Sequence, residues 1–162
     1  MEWQTESPQR EQHYRIGYAV GAFDLFHIGH LNLLKQAKAH CDELIIGVVS
    51  DEVLKRTKGA SPVIPEFERL EIVKSLSMVD RVVLEVNEDR LDTWHELGFN
   101  VFFKGDDWKG TAKGMELERR FGEVGVSVEY FPYTIHTSST LLRRALQALE
   151  ENGRNRSEAA TR

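Results

Sequence analysis

Between about residue 15 and residue 150, short apolar runs rich in Val, Ile and Phe alternate with amphipathic stretches. No other feature narrows the fold as far, because parallel strands need crossover connections and the crossovers place helices on the faces of the sheet. Strands are expected near Arg15–Val20, Glu43–Val49, Arg81–Glu85, Val101–Lys104 and Val126–Phe131. Several are nearly continuous in branched and aromatic residues, the pattern of strands covered on both sides. Leu31, Leu33, Leu34 and Ala37 form a helical stripe before the second strand. Phe67, Leu70, Ile72, Val73 and Leu76 form another before the third, with Pro65 where a first helical turn tolerates proline. Further helices fit Glu88–Leu97, stopped by Gly98, then about Ala112–Phe121, then Ser138–Leu149.

The 162 residues suffice for one core and are too few for two large ones. Apolar periodicity fails before about His13 and after Leu149. The folded unit is therefore expected over residues 14–149, between a flexible segment 1–13 and a disordered tail 150–162. Its fold is expected to be α/β, a Rossmann-like, doubly wound, mainly parallel five-stranded sheet. A formal charge of −5 argues against general nucleic-acid binding, which needs clustered Lys and Arg. No run approaches the roughly 20 apolar residues of a membrane span, and the polar first fifteen residues carry no export signal, so no membrane partner and a reducing cytoplasm are expected. Cys41 is the only cysteine, which excludes an intrachain disulfide and a multi-cysteine metal site. It reads as a thiol packed near the end of a helix.

In an open sheet of this kind, ligands collect beyond the carboxyl ends of the strands. The first strand is followed by Gly21-Ala22-Phe23-Asp24-Leu25-Phe26-His27-Ile28-Gly29-His30, where a helix begins. Histidines three apart lie on one helix face, and a helix start offers unpaired N–H groups to an anion such as a polyphosphate. Gly21 and Gly29 leave room for close backbone approach. Taken alone, the pair also fits core histidines, a surface coincidence or two metal ligands; zinc is the weakest of these, since neither HExxH nor a cysteine ligand accompanies it. As exposed residues of a helix start, the two histidines are expected to contribute little to the core. After the second strand, Lys55-Arg56-Thr57-Lys58-Gly59 reads as a mobile basic loop. Lys58 is the better phosphate ligand in it and Lys55 a candidate for the acceptor phosphate, against the alternative of a solvated loop. Thr137 and Ser138 suit a helix N-cap, which is compatible with offering donors to phosphates.

The run G-x-F-D-x-x-H-x-G-H resembles the signature of the cytidylyltransferase-like nucleotidyltransferase superfamily. With Phe103-Lys104-Gly105-Asp106-Asp107-Trp108 and Thr137-Ser138-Ser139-Thr140 in the same order, residues 15 to 148 resemble bacterial glycerol-3-phosphate cytidylyltransferase. That resemblance implies direct attack of a substrate phosphate on the α-phosphorus of CTP, with pyrophosphate leaving and no covalent enzyme intermediate. It implies His27, His30 and Lys58 as the catalytic residues. Nucleotide contacts would come from Gly21, Ala22, Phe23, Gly29, Gly105, Asp107, Thr134, Thr137, Ser138 and Ser139, with Asp107 at the ribose and Gly105 letting the base approach main chain. Lys55, Arg69 and Arg90 would meet the acceptor. For Asp107 the alternative is an acidic turn, for Trp108 simple packing, and for Arg69 a salt bridge on the helix surface. Mg2+ would accompany the triphosphate, no protein metal site is expected, and a homodimer is suggested by the family alone. Asp24 is read as helping to fix the motif loop.

The chain departs from that pattern at Ala22, where a threonine is usual, and at Tyr133 and Ser77, where arginines are usual; His136 replaces a glycine. Heptose-1-phosphate adenylyltransferases share the histidine motif and also lack the arginine at the position of Tyr133, while Gly105-Asp106-Asp107-Trp108 looks closer to the cytidylyl branch. The leading expectation is thus CMP transfer from CTP to a small phosphomonoester, foremost glycerol-3-phosphate, to form CDP-glycerol. Adenylyl transfer from ATP to a sugar or cofactor phosphate, and a noncatalytic nucleotide-binding module, are the two alternatives.

Overall fold

The five apolar runs pair side by side as β1 (Ile16–Gly21), β2 (Glu43–Val49), β3 (Arg81–Glu85), β4 (Val101–Gly105) and β5 (Ser127–Phe131). The sheet order is β3-β2-β1-β4-β5 and every pairing is parallel. The structure is a computed structural model that describes residues 14–132 and 137–160. The helices are α1 (Ile28–Ala39), α2 (Asp51–Lys58), α3 (Glu66–Lys74), α4 (Arg90–Leu97), α5 (Ala112–Glu123) and α6 (Ser139–Ala160), with a 3-10 turn at Asp106–Trp108. No helix among the described residues is long and apolar enough to cross a membrane.

Alternate side chains of each strand enter opposite cores, as the two-residue period of a strand requires. Ala19, Leu44, Ile46, Val48, Val101 and Phe103 pack with Leu34 and Ala37 of α1 and Val73 of α3. Tyr18, Ile45 and Phe102 point the other way, against Phe99, Phe121 and partly buried Trp94, Leu97 and Leu117 of α4 and α5. The chain winds outward from β1 through β2 to β3, then returns through α4 to β4 on the far side of β1. The β1/β4 boundary is therefore the switch point, where helices diverge to opposite faces and a crevice must open.

One buried polar cluster ties β1 to the edge strand. Glu85, only 2% exposed, accepts from the Tyr18 hydroxyl at 2.6 Å, the Thr93 hydroxyl at 2.7 Å and the Asn87 amide at 2.8 Å, with Arg90 at 3.3 Å. Buried carboxylates persist when satisfied in this way. Burial, followed by the bond to Glu85, drives the Tyr18 phenol pKa upward. A Cβ on Gly47 would lie 2.0 Å from the Tyr18 hydroxyl, so glycine there is what admits the phenol.

Three local expectations are corrected. The stretch expected as a basic loop is the second half of α2: Ser50 caps it by accepting from the Val53 amide at 3.2 Å, and Gly59 ends it at φ 69°. Asp51 and Glu52 in the first turn and Lys55, Arg56 and Lys58 in the last complement the helix dipole. The α3 stripe also differs, because Phe67 and Ile72 are exposed while Arg69 and Val73, four apart, face inward. Finally, the last helix, expected to end at Leu149, continues to Ala160, with no proline to interrupt it. Cys41 matches its reading, with Sγ donating to the Ala37 carbonyl at 3.3 Å and burial pushing its pKa up.

Candidate active site

At the switch point β1 stops at Gly21, and the chain turns through two non-glycine residues in the left-handed region, Phe23 (φ 52°) and Leu25 (φ 50°). Each costs roughly 1–3 kcal/mol in isolation, and such conformations persist where surroundings over-determine them. Here the surroundings are visible. Asp24, 1% exposed, accepts from the Val63 and Ile64 amides, both at 2.9 Å, while its carbonyl accepts from the Ser139 hydroxyl at 2.6 Å. The motif loop is thereby pinned to the segment before α3 and to the start of α6, which agrees with the reading of Asp24 as a loop-fixing residue.

His27 is the N-cap of α1. Its Nδ1 accepts from the Gly29 amide at 3.0 Å, and His30 Nδ1 accepts from the His27 amide at 3.4 Å, a capping box made of two imidazoles. Because both Nδ1 atoms accept, each neutral ring carries its proton on Nε2. The rings stack with centroids 4.0 Å apart. A Cβ at Gly29 would lie 2.8 Å from the His27 ring, so only glycine allows this stacking turn. Burial lowers the His27 pKa. For His30, burial and then the neighbouring His27 lower it to about 4, against a raising effect of Asp24. Both rings are thus neutral Nε2–H donors at pH 7. The expectation that the pair is peripheral is corrected for His30, which packs against Phe23 and Phe26 with ring centroids 5.4 and 5.3 Å away.

The cleft above these rings has a volume of about 290 Å3. Of the residues singled out in the sequence, it is lined by Gly21, Ala22, Phe23, His27, Gly29, His30, Lys58, Gly105, Asp107, Thr137, Ser138 and Ser139. Four elements converge there: the loop into α1, the end of α2, the end of β4 and the start of α6. Ser138 Oγ accepts from the Leu141 amide at 3.1 Å, so capping and cleft lining coexist in one residue. Thr134, Tyr133 and His136 lie outside the described residues.

The three acceptor candidates do not line this cleft. Lys55 is exposed on α2. Arg69 is fully buried: its Nε donates to the Ile64 carbonyl at 2.8 Å, one terminal nitrogen to the Ala22 carbonyl, and the other to Asp51 Oδ1 at 2.6 Å. Its guanidinium has no exposed surface and holds the motif loop from behind, while its partner Asp51 is partly exposed. Arg90 is bonded to the Asn87 carbonyl at 2.6 Å and lines a second cavity.

Two cations of the cleft were missed in the sequence. Arg143 on α6 reaches within 4.0 Å of Asp24, and its Nε donates to the Ser139 carbonyl at 3.2 Å. The signal was its i+4 spacing from Ser139. Lys104, at the end of β4, holds its ammonium 4.1 Å from the centroid of the Trp108 ring. Burial, with Arg90 and Lys58 nearby, lowers its pKa to about 8 despite Asp107. Sequence offered no sign of that burial, which depends on where the strand ends relative to the 3-10 turn.

A family model described as cytidylyltransferase-like matches residues 18–145. The chain is 42% identical over 100 residues to the bifunctional protein HldE of Acidiphilium cryptum, covering 61% of this chain and 21% of that relative. It therefore spans about a fifth of the length of that bifunctional protein. It is 30% identical over 132 residues to the FAD synthase of Thermococcus sibiricus, covering 81% of this chain and 89% of the relative. A solved structure, the lipopolysaccharide core biosynthesis protein from Thermoplasma volcanium, superposes with a TM-score of 0.63 at 28% identity over 76% of this chain and 98% of that one.

Proposed function

The chain belongs to the cytidylyltransferase-like family, and on that footing we propose that it transfers an adenylyl group from ATP to the phosphate of a small sugar or cofactor phosphomonoester. One observation carries this reading: two stacked histidine rings at the mouth of α1 line a single cleft with Lys58, Lys104 and the hydroxyl-rich start of α6. An anion placed there meets helix N-terminal amides, imidazole N–H donors and ammonium groups together. The acceptor's phosphate oxygen attacks the α-phosphorus; one P–O bond forms as the bond to the bridging oxygen of the β-phosphate breaks, and pyrophosphate departs with the electron pair. His27 and His30 stabilise charge on the transferring phosphorus and the leaving group, each contributing on the order of a hundredfold in rate. No proton need be removed from the nucleophile, which matches rings that are neutral and already committed at Nδ1.

Adenylyl transfer replaces cytidylyl transfer to glycerol-3-phosphate as the leading reading. FAD contains an adenylyl group, and the FAD synthase is matched over most of its length. Tyr133 in place of an arginine also fits the resemblance to heptose-1-phosphate adenylyltransferases. Mg2+ would accompany the triphosphate and supply counter-charge, with Asp24 and Asp107 the carboxylates that share the cleft.

The test is pyrophosphate release with ATP or CTP against sugar phosphates, cofactor phosphates and glycerol-3-phosphate. ATP-dependent release with a sugar or cofactor phosphate is the expected result. CTP-dependent release with glycerol-3-phosphate would restore the other reading, and nucleotide binding with no release from any pair would leave a binding module.

A further inference from the structure

The root of α6 is bound to the motif loop, with Ser139 Oγ on the Asp24 carbonyl at 2.6 Å and Arg143 within 4.0 Å of the Asp24 carboxylate. Beyond that root the helix runs on to Ala160, and its apolar side chains stand in solvent. Leu141 and Leu149 are 55% and 68% exposed, Ala145 and Ala148 are exposed with them, and none of the four joins a core cluster. At 3.6 residues per turn, Leu141, Ala145 and Ala148 fall on the side of α6 turned away from Arg143, so the stripe does not face the domain that carries it. Scattered exposed leucines are ordinary, whereas a continuous stripe marks a surface that another molecule covers.

We infer that this stripe is an interface for a second copy of the chain, the two α6 helices packing antiparallel about a two-fold axis level with Leu146 and Gln147. The spacings of four and three between Leu141, Ala145 and Ala148 are those of a helix–helix seam, and alanines at its centre let two helix axes approach. Pairing of identical chains requires one patch to complement itself. Arg144 and Glu151 supply that complementarity: they lie seven residues apart along one flank of the seam, both exposed, with no ion pair to either among the described residues. At 1.5 Å rise per residue, the antiparallel arrangement brings Arg144 of one copy to within about 3 Å, measured along the axis, of Glu151 of the other, and symmetry repeats the pair. Parallel packing would instead set arginine beside arginine and glutamate beside glutamate. A lipid surface fits less well, because helices that lie on membranes carry a basic polar face, whereas Glu150 and Glu151 here offset Arg144 and Arg154. The first thirteen residues bring only Met1 and Trp3 as large apolar side chains, too few to cover the stripe.

Sedimentation equilibrium of the full chain tests the interface. A contact confined to one helix is small, so association is expected between about 1 and 200 µM. Leu149→Glu and Ala145→Glu, both exposed and clear of the core, each weaken it about tenfold or more, with circular dichroism confirming that helix content is kept. Arg144→Glu and Glu151→Arg also weaken it, each about tenfold, since either reversal creates two repulsive pairs per dimer; combining R144E with E151R restores it to within about twofold of wild type. A wild-type chain that stays monomeric throughout that range overturns the interface. So does association that L149E and A145E leave unchanged, which would place the contact on another face, or charge reversals whose effects simply add in the double variant. A monomer that sediments with phosphatidylglycerol vesicles, and ceases to in L149E, would assign the stripe to a lipid surface instead.

Discussion

Lowering the pH should unfold this protein partly through one imidazole. In the folded chain burial holds the His30 pKa near 4, whereas an unfolded histidine titrates near 6.5. Between those values the unfolded chain binds more protons than the folded one, so stability is complete above pH 6.5 and is lost as the pH falls towards 4. For a single group with these two values, the loss relative to pH 7 is about 2 kcal/mol at pH 5 and about 3 kcal/mol at pH 4. The lowered pKa of His27 adds a term of the same sign. Asp80 and Asp89, whose pKa values are lowered chiefly through bonds to Lys38 and Arg120, also cost stability in acid, so a control is needed. His30→Asn supplies it, since an amide oxygen can take the place of Nδ1 in accepting from the His27 amide and does not titrate. Urea denaturation followed by far-UV circular dichroism at pH 7, 6, 5 and 4.5 gives both curves. The variant starts lower at pH 7, having lost ring contacts with Phe23 and Phe26, but its decline to pH 5 is shallower than that of wild type by about 2 kcal/mol. Parallel curves would refute the claim that the ring is held neutral by its surroundings.

Arg69→Met should destabilise the fold by about 3 kcal/mol, because it leaves the Ala22 and Ile64 carbonyls and Asp51 without their donor, and should weaken ATP binding at least tenfold as the motif loop loosens; urea denaturation and calorimetric titration measure the two effects. Gly29→Ala puts a methyl 2.8 Å from the His27 ring and should cut kcat about a hundredfold through ring displacement, with the far-UV spectrum retained. Asp24→Asn turns one acceptor into a donor that faces an amide N–H, and a loss of about 2 kcal/mol in urea denaturation is expected. Gly47→Ala drives a methyl into the Tyr18 hydroxyl and should cost at least about 2 kcal/mol, seen in urea denaturation together with a lowered melting temperature.

The strands were legible because each is a local run whose composition decides its state: Glu43–Val49 and Arg81–Glu85 match to the residue. The motif histidines were legible for a similar reason, since a glycine turn, an N-cap and an i+3 partner all fall within ten residues. Failures came where a local pattern has two outcomes. Lys55 to Gly59 is basic and polar, which reads as loop, but Ser50 upstream supplies a cap and Gly59 a left-handed stop, and together they close a two-turn helix. The α3 stripe failed because an arginine occupies the inward face; periodicity scores hydrophobic side chains and is blind to a cation whose partners lie 18 and 47 residues away.

Arg69 and Lys104 fail in opposite directions, and the contrast follows from topology. Both are basic residues close in sequence to an apolar run, and one was expected at the acceptor while the other was passed over. Arg69 sits on α3, on the face of the sheet where α1 and α3 close one core, so its guanidinium meets main-chain carbonyls of the motif loop before it can meet solvent. Lys104 sits at the carboxyl end of β4, the strand that borders the switch point, so its ammonium comes to line the crevice, packed against the Trp108 ring. Strand order is a relation among five segments up to 115 residues apart, and no window of the sequence contains it. A lysine one residue before a strand's end lines this crevice only when that strand is the neighbour of β1, which makes the charge state of Lys104, read by Nζ chemical shift between pH 7 and 9, a direct probe of the β1/β4 crevice. A midpoint near 8 that rises when ATP or a sugar phosphate is added is the expected behaviour; an ordinary lysine midpoint with no response to either would mean that this end of β4 is open to water and outside the site.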